Sequence, residues 1–345
     1  MSYLALADGT VWRGESVGAD GHALGEAVFT TGMSGYQEAV TDPSFADQLI
    51  CFTAPMVGNY GVAGERSESA RTHARAVLMR EARGPEWTDW LREHGVVALT
   101  GIDTRSLVLH LRDAGSAPGI AVASDLPVEK AIELAAQQPS MLGRALIEDV
   151  STDEPYVFVE EGRVRVAVVD YGVKNSVLRR LAKAGAAITV YPHDTDAGEL
   201  AGHDGVLLSP GPGDPEPLAA ETEMVRKLLG RTHVLGICLG HQLIARATGH
   251  ETYKLPFGHR GANHPVHERL TGRVLVTSQN HGFAVQPSDA TEVSHVSLYD
   301  GTVEGLDFPE LRARSLQFHP EAGPGPHDAW PLLDAWVEEV ANATA

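Results

Sequence analysis

Val234-Leu235-Gly236-Ile237-Cys238-Leu239-Gly240-His241-Gln242 carries an apolar strand straight into a helix-forming stretch, with a thiol at the junction. Glycines stand two residues before and two residues after the cysteine. This is the G-x-C-x-G counterpart of the G-x-S-x-G nucleophile elbow. The reason is steric, because side chains at those positions would collide in a sharp strand-to-helix turn. The helix expected over 239–247 aims its positive N-terminal end at the sulfur, which favours thiolate over thiol. The backbone N–H of Leu239 then points to where an oxyanion would form. A buried cysteine that merely happens to open a helix is the bland alternative.

Around this turn the apolar pattern predicts strands at 164–170, 187–191, 205–208 and 234–237, with helices at 175–183, 219–229 and 239–247. The strand at 164–170 is almost unbroken in its apolar character, as expected for a strand covered on both faces. Strands alternating with helices imply an α/β fold with a doubly covered, mostly parallel sheet. Ligands in such sheets bind at the carboxyl ends of strands, and the candidate chemical residues fall there.

The first part of the chain reads differently, as a smaller, strand-rich α+β domain. Residues 4–18 alternate like a hairpin with Asp8-Gly9 at its turn. Residues 26–30 and 48–52 are further strands, and Cys51 within the latter reads as a small buried hydrophobe. Asp103 caps a helix through Leu111, with Gly115 past its end, and a second helix is expected over 128–137. The polar, acidic stretch around 149–162 reads as a linker, leaving domains at 1–150 and 164–345 joined by 151–163.

Two more segments share the chemistry of the elbow. Ser209-Pro210-Gly211-Pro212-Gly213-Asp214-Pro215 closes a strand, and its alternating Pro and Gly fix the loop while leaving N–H groups available to a carbonyl oxygen. Alone, it is equally a rigid turn. Phe318-His319-Pro320-Glu321 ends a late apolar strand. An imidazole can manage the proton of a thiol nucleophile at neutral pH, and a carboxylate can fix its tautomer. In an extended segment, residues two apart point the same way, so Glu321 is expected to flank His319.

Composition narrows the class. The 345 residues exceed what one core usually serves, and 43% apolar with 21% charged residues is an ordinary globular balance. A net charge of −19 argues against a nucleic-acid partner. Two cysteines, Cys51 and Cys238, make no disulfide framework, which suggests a reducing, cytoplasmic setting. No signal peptide and no membrane span are expected. His259, His264 and His267 match no zinc-ligand spacing, and the Gly, Arg and Pro among them suggest a structured loop, so no metal is expected. Neither G-x-x-x-x-G-K-[ST] nor G-x-G-x-x-G is present.

GICLGHQ, SPGPGDP and FHPE together resemble the triad-type (class I) glutamine amidotransferases. GYQEAVTDP from Gly35, LTGIDTR from Leu99, FGHRGANHPV from Phe257, SQNHGFAV from Ser278 and HPEAGPGPHD from His319 extend the resemblance to the small, glutaminase subunits of carbamoyl-phosphate synthetases. It covers nearly the whole chain. Glutaminases of anthranilate or GMP synthesis share the triad but lack this N-terminal text. A cysteine protease of the same architecture would not explain that text either. A non-catalytic regulatory subunit would usually lack the nucleophile or base. The resemblance implies Cys238 as nucleophile, His319 as acid–base and Glu321 as its orienter. It implies glutamine contacts at Ser44, Gly211, Gly213, Leu239, Gln242, Asn280, Gly282 and Phe283. Pro210 stands where some relatives carry Asn, yet the glycines flanking Pro212 keep their N–H groups. The implied partner is a large synthetase subunit. ATP and Mg are expected there, with no cofactor in this chain.

Overall fold

The computed structural model describes residues 2–287 and 290–344. The chain forms two compact units, Met1–Leu142 with Pro256–Arg260, and Gly143–Leu255 with Gly261–Ala345. Residues 143–150, read in the sequence as the end of the first domain, thus pack with the second unit.

In the first unit, strands β1 (Ser2–Leu6), β2 (Val11–Ser16), β3 (His22–Thr30), β4 (Gln48–Phe52), β5 (Ala76–Leu78), β6 (Val97–Thr100) and β7 (Ala117–Val122) close a barrel. Its order is β1-β2-β6-β5-β4-β3-β7. The hairpin forms with Ser2 opposite Gly14 and Ala5 opposite Val11. Closing the barrel removes free strand edges. Helices α1 (Tyr36–Thr41), α2 (Pro85–Glu93), α3 (Thr104–Ala114) and α4 (Val128–Gln137) complete the unit. Asp103 caps α3 by accepting from Ser106 N–H at 3.0 Å, and Gly115 follows its end. Cys51 is fully buried, and that burial pushes its thiol well up from the ordinary range, which suits a packing role.

The second unit is built on strands β8 (Tyr156–Val159), β9 (Val164–Asp170), β10 (Ala186–Pro192), β11 (Gly205–Leu208), β12 (His233–Ile237), β13 (Thr252–Glu268), β14 (Val274–Val285), β15 (Val293–Ser297), β16 (Val303–Phe308) and β17 (Ala313–Leu316). They lie in the order β14-β13-β15-β16-β17-β12-β11-β9-β10-β8. The centre is parallel, with Leu235 of β12 opposite Leu207 of β11 on one side and Arg314 of β17 on the other. Antiparallel pairing extends the sheet beyond β17 through β16 and β15. At the opposite end β8 pairs antiparallel with β10, so the acidic linker stretch contributes an edge strand.

Helices α5 (Asn175–Lys183), α6 (Ala197–Leu200), α7 (Ala219–Leu228), α8 (Leu239–Ala247) and α9 (Trp330–Thr344) accompany this sheet. Alternate residues of β9 enter opposite cores. Ala167 and Val169 pack with residues of α7 and α8, whereas Val166 and Val168 pack with residues of α5 and α9. That is why β9 reads as continuously apolar. The His259–His267 stretch, expected as a loop, lies within the 17-residue strand β13. Pairing with β15 supplies it with partners that local propensity did not foresee. Among the described residues, no helix is long and apolar enough to cross a membrane.

Candidate active site

β12 ends at Ile237 and α8 begins at Leu239, so Cys238 is the whole junction. It takes φ 53 and ψ −103, a conformation disfavoured for a side-chain-bearing residue. Two glycines make the turn possible. A Cβ on Gly236 would lie 2.4 Å from the Gly240 carbonyl oxygen, and one on Gly240 would lie 2.2 Å from that of Leu208. The turn is fastened by Cys238 N–H to the Leu316 carbonyl at 2.8 Å, on the adjacent strand β17. Cys238 is buried, and its thiol donates weakly toward the Asn280 carbonyl at 3.6 Å.

The loop after β11 meets the elbow. A Cβ on Gly211 would fall 2.2 Å from the Tyr171 carbonyl and 2.9 Å from Leu239 Cδ2, so only glycine fits beside the start of α8. Gly213 has φ +93, in the left-handed region, and packs against the Arg144 carbonyl. Asp214 ties the loop down by accepting from the N–H groups of Gly143 and Glu216 at 2.8 and 2.9 Å.

His319 follows β17, and its N–H donates to the Ser278 carbonyl of β14 at 2.9 Å. Its Nδ1 lies 2.8 Å from Glu321 Oε1. The sequence reading placed Glu321 beside His319 along an extended strand. Instead the strand stops at Leu316, the chain turns after His319, and Ala322 has φ 50. Proline at 320 and the turn bring the carboxylate round to the ring.

Lys174, which sequence reasoning did not nominate, completes the group. Its Nζ is 2.5 Å from Glu321 Oε1, and both side chains are almost wholly buried. A signal was present: Lys174 is the N-cap of α5, where the helix dipole disfavours a cation, so another anion must hold it. Trp330 Nε1–H donates to the Glu321 carbonyl at 2.9 Å and fixes the turn from α9.

Burial and the Lys174 ammonium both oppose charge on His319. Attraction to Glu321, with hydrogen bonding from Cys238 and Glu321, outweighs them and pushes its pKa up to about 10. Burial would raise Glu321 in turn, but Lys174 and then His319 hold its carboxyl well below the ordinary range. Cys238 thus contributes to the protonation balance of His319, although Nε2 makes no hydrogen bond of ordinary geometry. With Sγ directed at the Asn280 carbonyl, the thiol–imidazole contact is poised rather than closed.

The remaining expected contacts divide. Gln242 directs its amide nitrogen inward, to the Phe283 carbonyl at 2.9 Å and Gln317 Oε1 at 3.1 Å. Asn280, Gly282 and Phe283 lie on β14, and Lys254 Nζ stands 5.2 Å from the Phe283 ring. Ser44 belongs to the first unit, on a short turn where its N–H donates to Asp42 Oδ1 at 2.8 Å.

Comparison with known proteins reaches both units. Residues 167–338 match the class-I glutamine amidotransferase family, and residues 4–121 match the CPSase domain of the carbamoyl-phosphate synthase small chain. The carbamoyl phosphate synthase small chain of Syntrophotalea carbinolica is 45% identical over 97% of this chain and 96% of its own length. Those of Xanthomonas campestris and Pseudomonas aeruginosa are each 43% identical, over 99% and 98% of this chain and 98% of their own lengths. The chain belongs to the carbamoyl phosphate synthase small-chain family. Its second unit accordingly carries the glutamine amidotransferase fold, with the elbow, loop and imidazole of this small chain at the carboxyl ends of neighbouring strands.

Proposed function

We propose that this chain is the glutaminase component of a carbamoyl phosphate synthase, hydrolysing L-glutamine to glutamate and ammonia through a thioester on Cys238. The observation that carries this reading is the elbow cysteine beside an imidazole that is itself clamped by a buried carboxylate. Cys238 Sγ attacks the side-chain amide carbon, and His319 holds the proton that the sulfur gives up. N–H groups of Leu239 and of the Gly211 loop meet the oxyanion, since the first N–H groups of α8 have no acceptor within the helix. The C–N bond then breaks as the imidazolium gives its proton to departing ammonia. His319 next takes a proton from water, which attacks the thioester and frees glutamate. Glu321 keeps the ring in one tautomer throughout.

Gly211, Gly213, Leu239, Gln242, Asn280, Gly282 and Phe283 are the proposed glutamine contacts in the second unit, and Ser44 joins them through family membership. With its nitrogen engaged inside the protein, Gln242 is left to meet the substrate through its amide oxygen. The ammonia is delivered to a large synthetase chain, which uses ATP, Mg and bicarbonate to make carbamoyl phosphate for arginine and pyrimidine synthesis. Pairing the chain with its large subunit and replacing Cys238 by Ser tests this. Glutamine-dependent synthesis should disappear while synthesis from added ammonia persists. Undiminished glutamate release by Cys238→Ser would refute the assignment, and release uncoupled from ATP and bicarbonate would point to a different synthetase.

A further inference from the structure

The outer face of α5 carries a second concentration of charge. Between α5 and α9 lies an open hollow of about 400 Å³, lined by Arg163, Arg180, Lys183, Asp334 and Glu338 with two alanines. The two carboxylates sit one helical turn apart on α9 and each engages one arginine. Arg180 pairs with Asp334 through Nη2, and Arg163 Nη1 lies 2.5 Å from Glu338. Each arginine therefore keeps donors beyond those its carboxylate uses. Arg180 Nε is wholly buried and has no hydrogen-bond acceptor among the described residues. Its guanidinium carbon lies over the Trp330 ring, 4.7 Å from the centroid, with Lys183 Nζ at 5.6 Å from the same ring. Lys183 forms no ion pair among the described residues, so three cations face two carboxylates.

A salt-bridge ladder pinning α5 to α9 would explain the two arginine pairs. It does not explain Lys183, which adds a third cation to the hollow without a carboxylate of its own among the described residues. In a chain of net charge −19, a hollow with surplus positive charge also runs against the average surface. We propose that this hollow is a binding site for a small phosphate-bearing anion. Its oxygens accept from the remaining guanidinium donors of Arg163 and from the Lys183 ammonium, and the Arg180 guanidinium adds its charge to the hollow. Fixed guanidinium planes suit tetrahedral oxyanions, because arginine presents its donors as a rigid fork. Arg180 and Lys183 stand in the last turn of α5, whereas Lys174 caps its start, so the proposed ligand is distinct from glutamine.

Calorimetric titration of the full chain with inorganic pyrophosphate, at fixed ionic strength set by sodium chloride, tests the proposal. Succinate, a dicarboxylate, is titrated in parallel. Saturable one-to-one pyrophosphate binding is expected, weakened about tenfold or more in both Lys183→Glu and Arg163→Glu. Both side chains are at the surface, and melting curves of the two variants establish that they remain folded. Glutamate release should be retained in each. Absence of saturable pyrophosphate binding below about 10 mM would overturn the proposal, as would equal affinity in the variants. Succinate binding as tightly as pyrophosphate would overturn the assignment to phosphate.

Discussion

Replacing Lys174 by Met removes an ammonium from a fully enclosed cluster and leaves the Glu321 carboxylate with His319 as its remaining partner. The Lys174 and Glu321 side chains are almost inaccessible, and their charged atoms lie 2.5 Å apart. Glu321 keeps His319 at 2.8 Å but loses its closest cation, and removing one partner of a buried pair destabilises by about 3–5 kcal/mol. For a domain of this size, that corresponds to a fall in Tm of roughly 2–4 °C per kcal/mol, so about 6–20 °C in total. The sign with pH follows from Glu321, whose carboxyl is held below its ordinary range. A depressed folded pKa gives stability that is present above the unfolded value of 4.5 and is lost as pH falls through the folded value. Without Lys174 that depression shrinks, so the variant should lose less further stability on acidification below 4.5 than the parent does. Because Lys174 also opposes protonation of His319, the imidazole in the variant should hold its proton to higher pH. Thermal melting across pH, run beside a glutamate-release pH profile, reads both effects. The double variant Lys174→Met/Glu321→Gln should recover part of the stability, giving an interaction of about 1–3 kcal/mol in the cycle. A single variant within about 0.5 kcal/mol of the parent, with an unmoved pH profile, would refute the reasoning.

Gly240→Ala places a methyl carbon 2.2 Å from the Leu208 carbonyl oxygen, so the elbow must shift and glutamate release should fall by about tenfold or more, measured as kcat. Trp330→Phe keeps an aromatic ring but removes the 2.9 Å hydrogen bond to the Glu321 carbonyl. Urea unfolding should show a loss of about 1 kcal/mol, with a modest fall in kcat. His241 is fully buried, and burial, with the nearby charges of His250 and His295, lowers its pKa to about 3. A lowered histidine pKa means that stability is complete above the unfolded value of 6.5 and declines as pH falls toward 3. His241→Gln should therefore flatten the loss of stability between pH 6 and 4 by up to about 1.4 kcal/mol per pH unit, and an unchanged slope would contradict it.

Much of the second unit was legible because its signals are local. The helices at 175–183 and 239–247 and the strands at 164–170 and 205–208 form with the expected bounds. Apolar period, a helix-opening cysteine and paired glycines are consequences of chain sterics that neighbours in sequence already impose. The proximity of Gly211 to Leu239 was also foreseeable, because parallel strands bring their carboxyl ends together. Less legible was the region after α8. β13 runs for 17 residues through glycines and prolines that read as a loop, because the hydrogen bonds that fix it come from strands distant in sequence.

What the sequence by itself determined is the chemistry on offer: a thiol at a strand-to-helix turn, a loop of glycines, an imidazole and a carboxylate two residues apart. Sheet order alone decided that β17 lies against β12, so that residue 316 fastens the backbone of residue 238. It likewise brought Lys174, at the start of α5, to a carboxylate nearly 150 positions away, and set the Asn280 carbonyl before the sulfur. These contacts have no local cause. They exist because strands distant along the chain share one sheet, and because a buried charge must find its counterion somewhere within it.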